Sequence, residues 1–294
     1  MPEASTPSPL DCTIGILTWN APNTLRNSLG SYQSVGLLDH VKETIVFLQG
    51  NNQKERRIAN KFGCKILDSK ENIGIHGAIE ALLHATKTEY FLFLENDWVC
   101  VASSQDVRNT LREAITILHD NTAHCVRLRH KYKYGEPLHS RHFAGREMDR
   151  PTHLLNCVHW LEHPEQAFPG ILKSIRIGKG AYILTDSRYA NYTNNPCVYR
   201  TTFFKDVLSK CAVAQQVDDD SLRAYAMTKH VSPHLVALES TMQPWWEKQN
   251  FFIAQGTGLF CHDPQKEAKE IFFRLKRIIK KVLWASIKNK TCNT

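Results

Sequence analysis

Residues Glu71 to Trp98, ENIGIHGAIEALLHATKTEYFLFLENDW, set a Gly-containing loop and a short helix ahead of an apolar strand that stops on three polar residues. The run Tyr90-Phe91-Leu92-Phe93-Leu94 has no polar position to turn toward water, so it suits a strand covered on both faces, as parallel strands are. Glu95-Asn96-Asp97 comes next, and carboxylates at i and i+2 of an extended chain point the same way. Open α/β sheets hold ligands outside the carboxyl ends of their strands, where two such oxygen donors can serve one divalent cation. The bland alternative is a polar turn closing a strand.

Upstream the same alternation repeats. Thr13 to Thr18 reads as a buried strand, and Trp19-Asn20-Ala21-Pro22 as a turn into a helix with Leu25, Leu29 and Tyr32 at helical spacing. Glu43 to Leu48 is a second strand ending at Gln49-Gly50-Asn51-Asn52, and a helix over Lys54 to Phe62 runs up to Gly63. Lys65 to Asp68 is a third strand, and the loop Asn72-Ile73-Gly74 leads into a helix over Ile75 to Ala85. Strands alternating with helices in this way predict a parallel sheet with helices on its faces.

Past Val101, a helix over Ser104 to His119 shows Val107, Leu111, Ile115 and Leu118 at helical spacing. The period then loosens. Arg127 to Arg150 reads as a basic insertion, mobile or facing an acceptor. Ala181 to Leu184 and Cys197 to Tyr199 read as strands of a mixed sheet, and Thr202 to Cys211 as a helix. A formal net charge of +8 favours an anionic partner without choosing one. Nine cysteines, an odd number with no C-x-x-C pair, fit free thiols in a reducing compartment. MPEASTPSPLDC at the N-terminus lacks a basic segment followed by an apolar one, and no apolar run reaches the length of a membrane span, so a cytoplasmic location is expected.

Three features together resemble a family 2 glycosyltransferase of the GT-A type: Thr18-Trp19-Asn20 at the end of the first strand, the N-x-G loop Asn72 to Gly74, and the buried strand with its acidic end. The resemblance implies an α/β fold with a Rossmann-like, mostly parallel central sheet flanked by helices, a mixed acceptor-binding half and a C-terminal amphipathic helix. With the resemblance covering roughly residues 12 to 262, the Pro-, Ser- and Thr-rich start and the apolar stripe of Ile271, Leu275, Ile278 and Val282 complete a division into a flexible tail (1–10), a nucleotide-sugar-binding half (11–101), an acceptor-binding and catalytic half (102–264) and a basic amphipathic helix (265–294).

In that family the acidic strand end is a D-x-D motif that binds the ribose and a divalent metal on the donor diphosphate, here Glu95-Asn96-Asp97. The resemblance implies Asp97 as the direct ligand of Mn²⁺ or Mg²⁺, Glu95 as its helper on the metal side, the ribose or an ordered water, and Asn96 beside them. Thr18, Asn20, Asn72 and Gly74 fall at donor-binding positions. An Asp that reads the nucleotide base usually ends the second strand. This chain has Leu48-Gln49-Gly50-Asn51 instead, so Gln49 or Asn51 would offer a side-chain amide to a base edge, or simply build a turn.

Val217-Asp218-Asp219-Asp220-Ser221-Leu222-Arg223 resembles the E-D-x-D-L segment whose acid is the general base of inverting members. Alignment on Leu222 favours Asp219, with Asp218 and Asp220 orienting the acceptor; the same acids could instead cap a helix. Arg200, ahead of Phe203, would contact the diphosphate, brace that acidic cluster or form an ordinary salt bridge. His262 stands where several GT-A enzymes place a late His against the metal or diphosphate, or it is structural. Trp245 and Trp246 would offer a sugar ring an apolar platform, with at least one of them in the core.

The residues so assigned predict metal-dependent transfer of a sugar from a nucleoside-diphosphate donor of UDP, GDP or dTDP type to a hydroxyl of a glycan or glycolipid, with inversion. The basic stripe after residue 264 packs on the core or makes a peripheral membrane contact. Nucleic acid is not expected, because it would leave Asp97 and Asp219 unexplained. A zinc protease is set aside, since Pro164 follows His159-Trp160-Leu161-Glu162-His163 and the H-E-x-x-H order is absent. A nucleotidyltransferase would carry a Gly-rich phosphate loop after the first strand, where this chain has Thr18-Trp19-Asn20-Ala21-Pro22. The competing reading is a catalytically silent sugar or nucleotide-sugar binding protein on the same fold, motivated by the missing base-reading Asp.

Overall fold

A strand at the centre of a sheet needs side chains that tolerate burial on both faces, and Leu10–Trp19 (β1) supplies them, with Cys12 through Thr18 all buried. It starts at Leu10, inside the stretch expected as a tail. Gly15 is required in it, because a Cβ there would stand 2.5 Å from the Phe91 ring. The structure, a computed structural model, describes residues 8–50, 52–133, 151–214, 242–243 and 245–263.

Val41–Gln49 (β2), Lys65–Ser69 (β3) and Tyr90–Glu95 (β4) join β1 in parallel, in the order β3-β2-β1-β4. Between them run Pro22–Ser34 (α1), Gln53–Lys61 (α2) and Gly74–Ala85 (α3). Pro22 opens α1 at a position where its missing N–H costs nothing, and the Asn52 side chain caps α2 by accepting from the amides of Lys54 and Glu55. Leu25 and Leu29 of α1 enter one core layer together with Ser104–His119 (α4), while Ala78, Ile79, Leu82 and Leu83 of α3 enter the layer on the other face. The parallel order and these elements match what the apolar runs predict.

Beyond β4 the same sheet continues as β4-β9-β6-β10-β8-β7, built from Trp98–Cys100 (β5), Cys125–Arg129 (β6), Lys173–Ile177 (β7), Gly180–Asp186 (β8), Cys197–Arg200 (β9) and Phe252–His262 (β10). β5 pairs with β10 off this path. β9, β8 and β5 run against the other strands, so the sheet is mostly parallel and mixed in its second half. Short helices Leu154–Val158 (α5) and Pro164–Ala167 (α6), the longer Thr201–Ala214 (α7), and the 3-10 turns Leu38–His40 and Pro151–His153 lie between these strands.

Strand β10 breaks register against β6 between Gln255 and Phe260, and Gly258 lies in that break at φ +75. A Cβ on it would meet the Arg129 carbonyl oxygen at 2.2 Å, and that is backbone that cannot swing away. Gly258→Ala is therefore expected to destabilise the fold by about 3 kcal/mol, combining left-handed strain with overpacking, as a lower urea midpoint would report.

Cys12, Cys64, Cys100, Cys125, Cys157, Cys197 and Cys261 are free and buried, and burial pushes the Cys12 thiol up to about 12 and that of Cys100 to about 11, which makes those two inert packing groups. Among the described residues no helix is long and apolar enough to cross a membrane. The basic C-terminal helix expected over residues 265–294 lies outside the described residues.

Candidate functional site

The chain leaves β1 toward β2 on one side and returns to β4 on the other, and this reversal opens a crevice between the carboxyl ends of β1 and β4. Trp19 and Asn20 stand at the β1 side of it; the Trp19 side chain is 56% exposed and Asn20 adopts φ 50. Glu55 of α2 holds this turn. Its fully buried carboxylate accepts from Thr18 Oγ1 at 2.5 Å and from the Ala21 N–H at 2.8 Å. The Thr18 hydroxyl thus serves the turn rather than a donor. Asn20 Oδ1 accepts from Asn52 Nδ2 at 3.1 Å, joining the ends of β1 and β2.

Gln49 at the end of β2 is buried, and its Oε1 accepts the Ile73 N–H at 2.8 Å. Asn72 Oδ1 accepts from the Gly74 N–H at 2.9 Å, and Gly74 takes φ +77 to start α3. Gln49 therefore anchors the Asn72-Ile73-Gly74 loop through its carbonyl end.

At the end of β4 the Asn96 N–H donates to Leu17 O at 2.9 Å, extending the pairing with β1 past Glu95. Asn96 turns back onto α1: its Nδ2 donates to Thr24 Oγ1 at 2.6 Å, and its carbonyl accepts from Ser28 Oγ at 2.7 Å. That side chain positions the turn and does not face the crevice. Asp97 is buried while Glu95 is half-buried. Antiparallel pairing sets His262 opposite Trp98, with the rings 3.9 Å apart, and brings His262 Nδ1 to 3.6 Å from Asp97 Oδ2. The Asp263 N–H donates to Asp97 O at 2.7 Å, and Asp263 Oδ2 accepts from Asn27 Nδ2 at 2.9 Å. The ends of β4, β10 and α1 are stitched together by these bonds.

Asp97 and His262 bring one carboxylate oxygen and one imidazole nitrogen within 3.6 Å of each other, ligand types that a divalent ion accepts. Among the described residues no three His, Cys, Asp or Glu side chains form a cage. A pair of protein ligands fits Mg²⁺ or Mn²⁺, which keep several positions for water and substrate phosphate.

Two expected site residues lie elsewhere. Arg200 pairs with Tyr90 at the start of β4, and its Nε and Nη2 donate to the carbonyls of Leu118 and His119 at 3.0 and 2.9 Å. It closes the C-terminal end of α4, one strand length, about 17 Å, from Glu95, which corrects the expected diphosphate contact. Trp246 is 1% exposed, donates Nε1–H to Ala190 O at 2.8 Å and meets Tyr192 edge-on. It is core and not a sugar platform. Trp245 is half-buried against Phe251, with ring centroids 5.6 Å apart. Asp218, Asp219 and Asp220 lie outside the described residues. Sequence reasoning missed Glu55, Asp263 and the arginines of β6; a buried acid on an otherwise polar helix leaves no mark in hydropathy.

No protein-family model and no curated protein matches the chain. Among solved structures, it is similar to the mannosyltransferase PcManGT from Pyrobaculum calidifontis in complex with GDP-Man and Mn²⁺, at 17% identity over 41% of this chain and 35% of that one, TM-score 0.35. Glucosyl-3-phosphoglycerate synthase from Mycobacterium tuberculosis, in complex with Mn²⁺, UDP and glucosyl-3-phosphoglycerate, aligns at 17% identity over 40% of this chain and 42% of that one, TM-score 0.32. TarS of S. aureus aligns at 12% identity over 86% of this chain and 36% of that one, TM-score 0.46. The chain thus spans less than half the length of each, and what it shares with them is a partial likeness of fold.

Proposed function

We propose that this chain is a nucleotide-sugar glycosyltransferase of the GT-A type that uses Mn²⁺ or Mg²⁺ and transfers a sugar to an acceptor hydroxyl with inversion. The observation that carries this reading is the meeting of Asp97 and His262 at the carboxyl edge of the sheet, beside the crevice between β1 and β4. Asp97 and His262 would hold the ion, with Glu95 on the ribose or a water. When bound, such an ion neutralises the diphosphate as it departs. Asn20 and the Gln49-braced loop at Asn72 to Gly74 border the space for the nucleotide. Asp219, flanked by Asp218 and Asp220, is the proposed base, taking the proton of the acceptor hydroxyl as it attacks the anomeric carbon. The acceptor is a glycan or glycolipid hydroxyl.

Thermal unfolding with UDP, GDP, dTDP and CDP, each with and without Mn²⁺, tests the site. One nucleotide together with Mn²⁺ is expected to stabilise the protein by about 2.7 kcal/mol at a hundredfold excess over Kd, and neither partner alone to do so. An equal shift in EDTA would refute the metal pair. Turnover of a donor sugar by the same protein then separates a transferase from a silent binder.

A further inference from the structure

Asn96 and Asp97 alone separate β4 from β5, so the strand that begins at Trp98 is joined directly to one half of the proposed metal pair. A strand of three residues has little hold of its own, and β5 is fixed from both sides. Antiparallel pairing with β10 sets one edge. From α1, the Tyr32 hydroxyl donates to Trp98 O, and Ser31 Oγ accepts the Cys100 N–H at 2.9 Å. Tyr32 is itself fully buried, so the backbone of Trp98 is pinned to a core helix.

The indole is 1% exposed, and His262, its partner across the strands, lies on it with ring centroids 3.9 Å apart and planes 32° from parallel. Ordinary aromatic pairs keep their centroids about 4.5–7 Å apart, so this contact is close. The Arg129 guanidinium stands 5.5 Å from the same ring, within cation–π range. Trp98 Nε1 is shielded from solvent and has no hydrogen-bond partner among the described residues, where a buried indole usually finds one. Phe would fill the core without stranding an N–H. What Trp98 adds is breadth of ring surface, and that surface underlies His262. An imidazole at a strand end can turn about two side-chain torsions and present either nitrogen or a carbon edge to its neighbour. The His262 side chain is 20% exposed and so not enclosed on every side, yet its Nδ1 stands 3.6 Å from Asp97 Oδ2.

We propose that Trp98 is a positioning residue, whose indole face fixes the His262 imidazole with Nδ1 turned to Asp97. Because Trp98 also follows Asp97 in the chain, one residue sets both halves of the pair in place before any ion arrives. Losing a group that orients a metal-binding imidazole typically lowers metal affinity by about 10–100-fold. The metal role rests on the transferase reading; the fixing of the ring does not.

Calorimetric titration of the full-length protein with the Mn²⁺ complex of the nucleoside diphosphate that thermal unfolding selects reads the effect. Trp98→Leu is expected to weaken binding of that complex about tenfold, and Trp98→Phe, which keeps a ring, about threefold or less. Trp98→Leu also loses packing and will lower Tm, so His262→Ala supplies the background that separates the two roles. There Trp98→Leu should cost no further affinity, because the residue it acts through is gone. A purely structural Trp98 would weaken both backgrounds by the same factor. Crystal structures of the ligand-free wild type and Trp98→Leu give a second readout that needs no metal: the imidazole should turn away from Asp97 in the variant while β5 stays paired with β10. Wild-type affinity in Trp98→Leu, equal losses in the two backgrounds, a loss in Trp98→Phe as large as in Trp98→Leu, or a His262 that does not move overturns the proposal. If the wild type binds no Mn²⁺ and nucleotide together, the transferase reading falls, and the ligand-free structures decide the positioning by themselves. Joint binding that Trp98→Leu leaves intact would do the reverse.

Discussion

Asp97→Asn is expected to leave the protein folded and to remove the joint nucleotide and Mn²⁺ stabilisation, together with on the order of a thousandfold or more of donor turnover, about 4 kcal/mol. The substitution keeps the shape of the side chain, and it leaves the backbone carbonyl that accepts from Asp263 and the stacking of Trp98 on His262 as they are. What it removes is the negative charge of a buried carboxylate next to an imidazole. An amide oxygen is a far weaker partner for a hard dication, so binding of the metal and nucleotide together should fail while circular dichroism and Tm without ligand stay near the wild type. Turnover within tenfold of the wild type would refute Asp97 as the metal residue. A collapse in Tm would instead assign it a structural role.

Trp246→Ala should act in the opposite way, on stability before activity. Truncating a fully buried aromatic ring costs about 3–5 kcal/mol, a large part of the 5–15 kcal/mol that holds a typical domain. The change also strips the Ala190 carbonyl of its donor and Tyr192 of its edge contact. Trp245→Ala, at a half-buried ring, should cost well under half as much. Urea unfolding of both variants decides the matter. If Trp246→Ala unfolded like the wild type while acceptor KM rose, the core assignment would be wrong and the platform reading would return.

The first four strands were legible because β1, β2 and β4 carry apolar runs and the turns around them carry their own signals: Pro22 after β1, Asn52 before α2, Gly74 before α3. β6 was not, because Arg127 and Arg129 read as surface residues in a basic stretch, although both are buried. Only a neighbour that brings carbonyl and amide oxygens can bury such a group, and Asn156 and Asn191 come from other segments. β10 was legible only in the apolar stretch just before His262; the register break around Gly256 and Gly258 that joins this stretch to the earlier half of the strand is set by the neighbouring β6. Arg200 misled for a related reason. Its place in the chain suggests the catalytic half, yet β9 runs antiparallel to β4 and carries it to the wrong end of the sheet.

By itself, then, the order of residues determined which segments become strands and helices around β1 and β4, and that an acidic pair ends β4. Those properties follow from side chains within a few residues of one another, where spacing alone decides which face is covered. Tertiary structure decided which strand ends meet. It placed His262 against Asp97, Glu55 under Thr18 and Arg127 among uncharged amides, while sending Arg200 and Trp246 away from the crevice. Strand order and direction fix such meetings, and a polar side chain carries no local sign of the distant partner that makes its burial affordable.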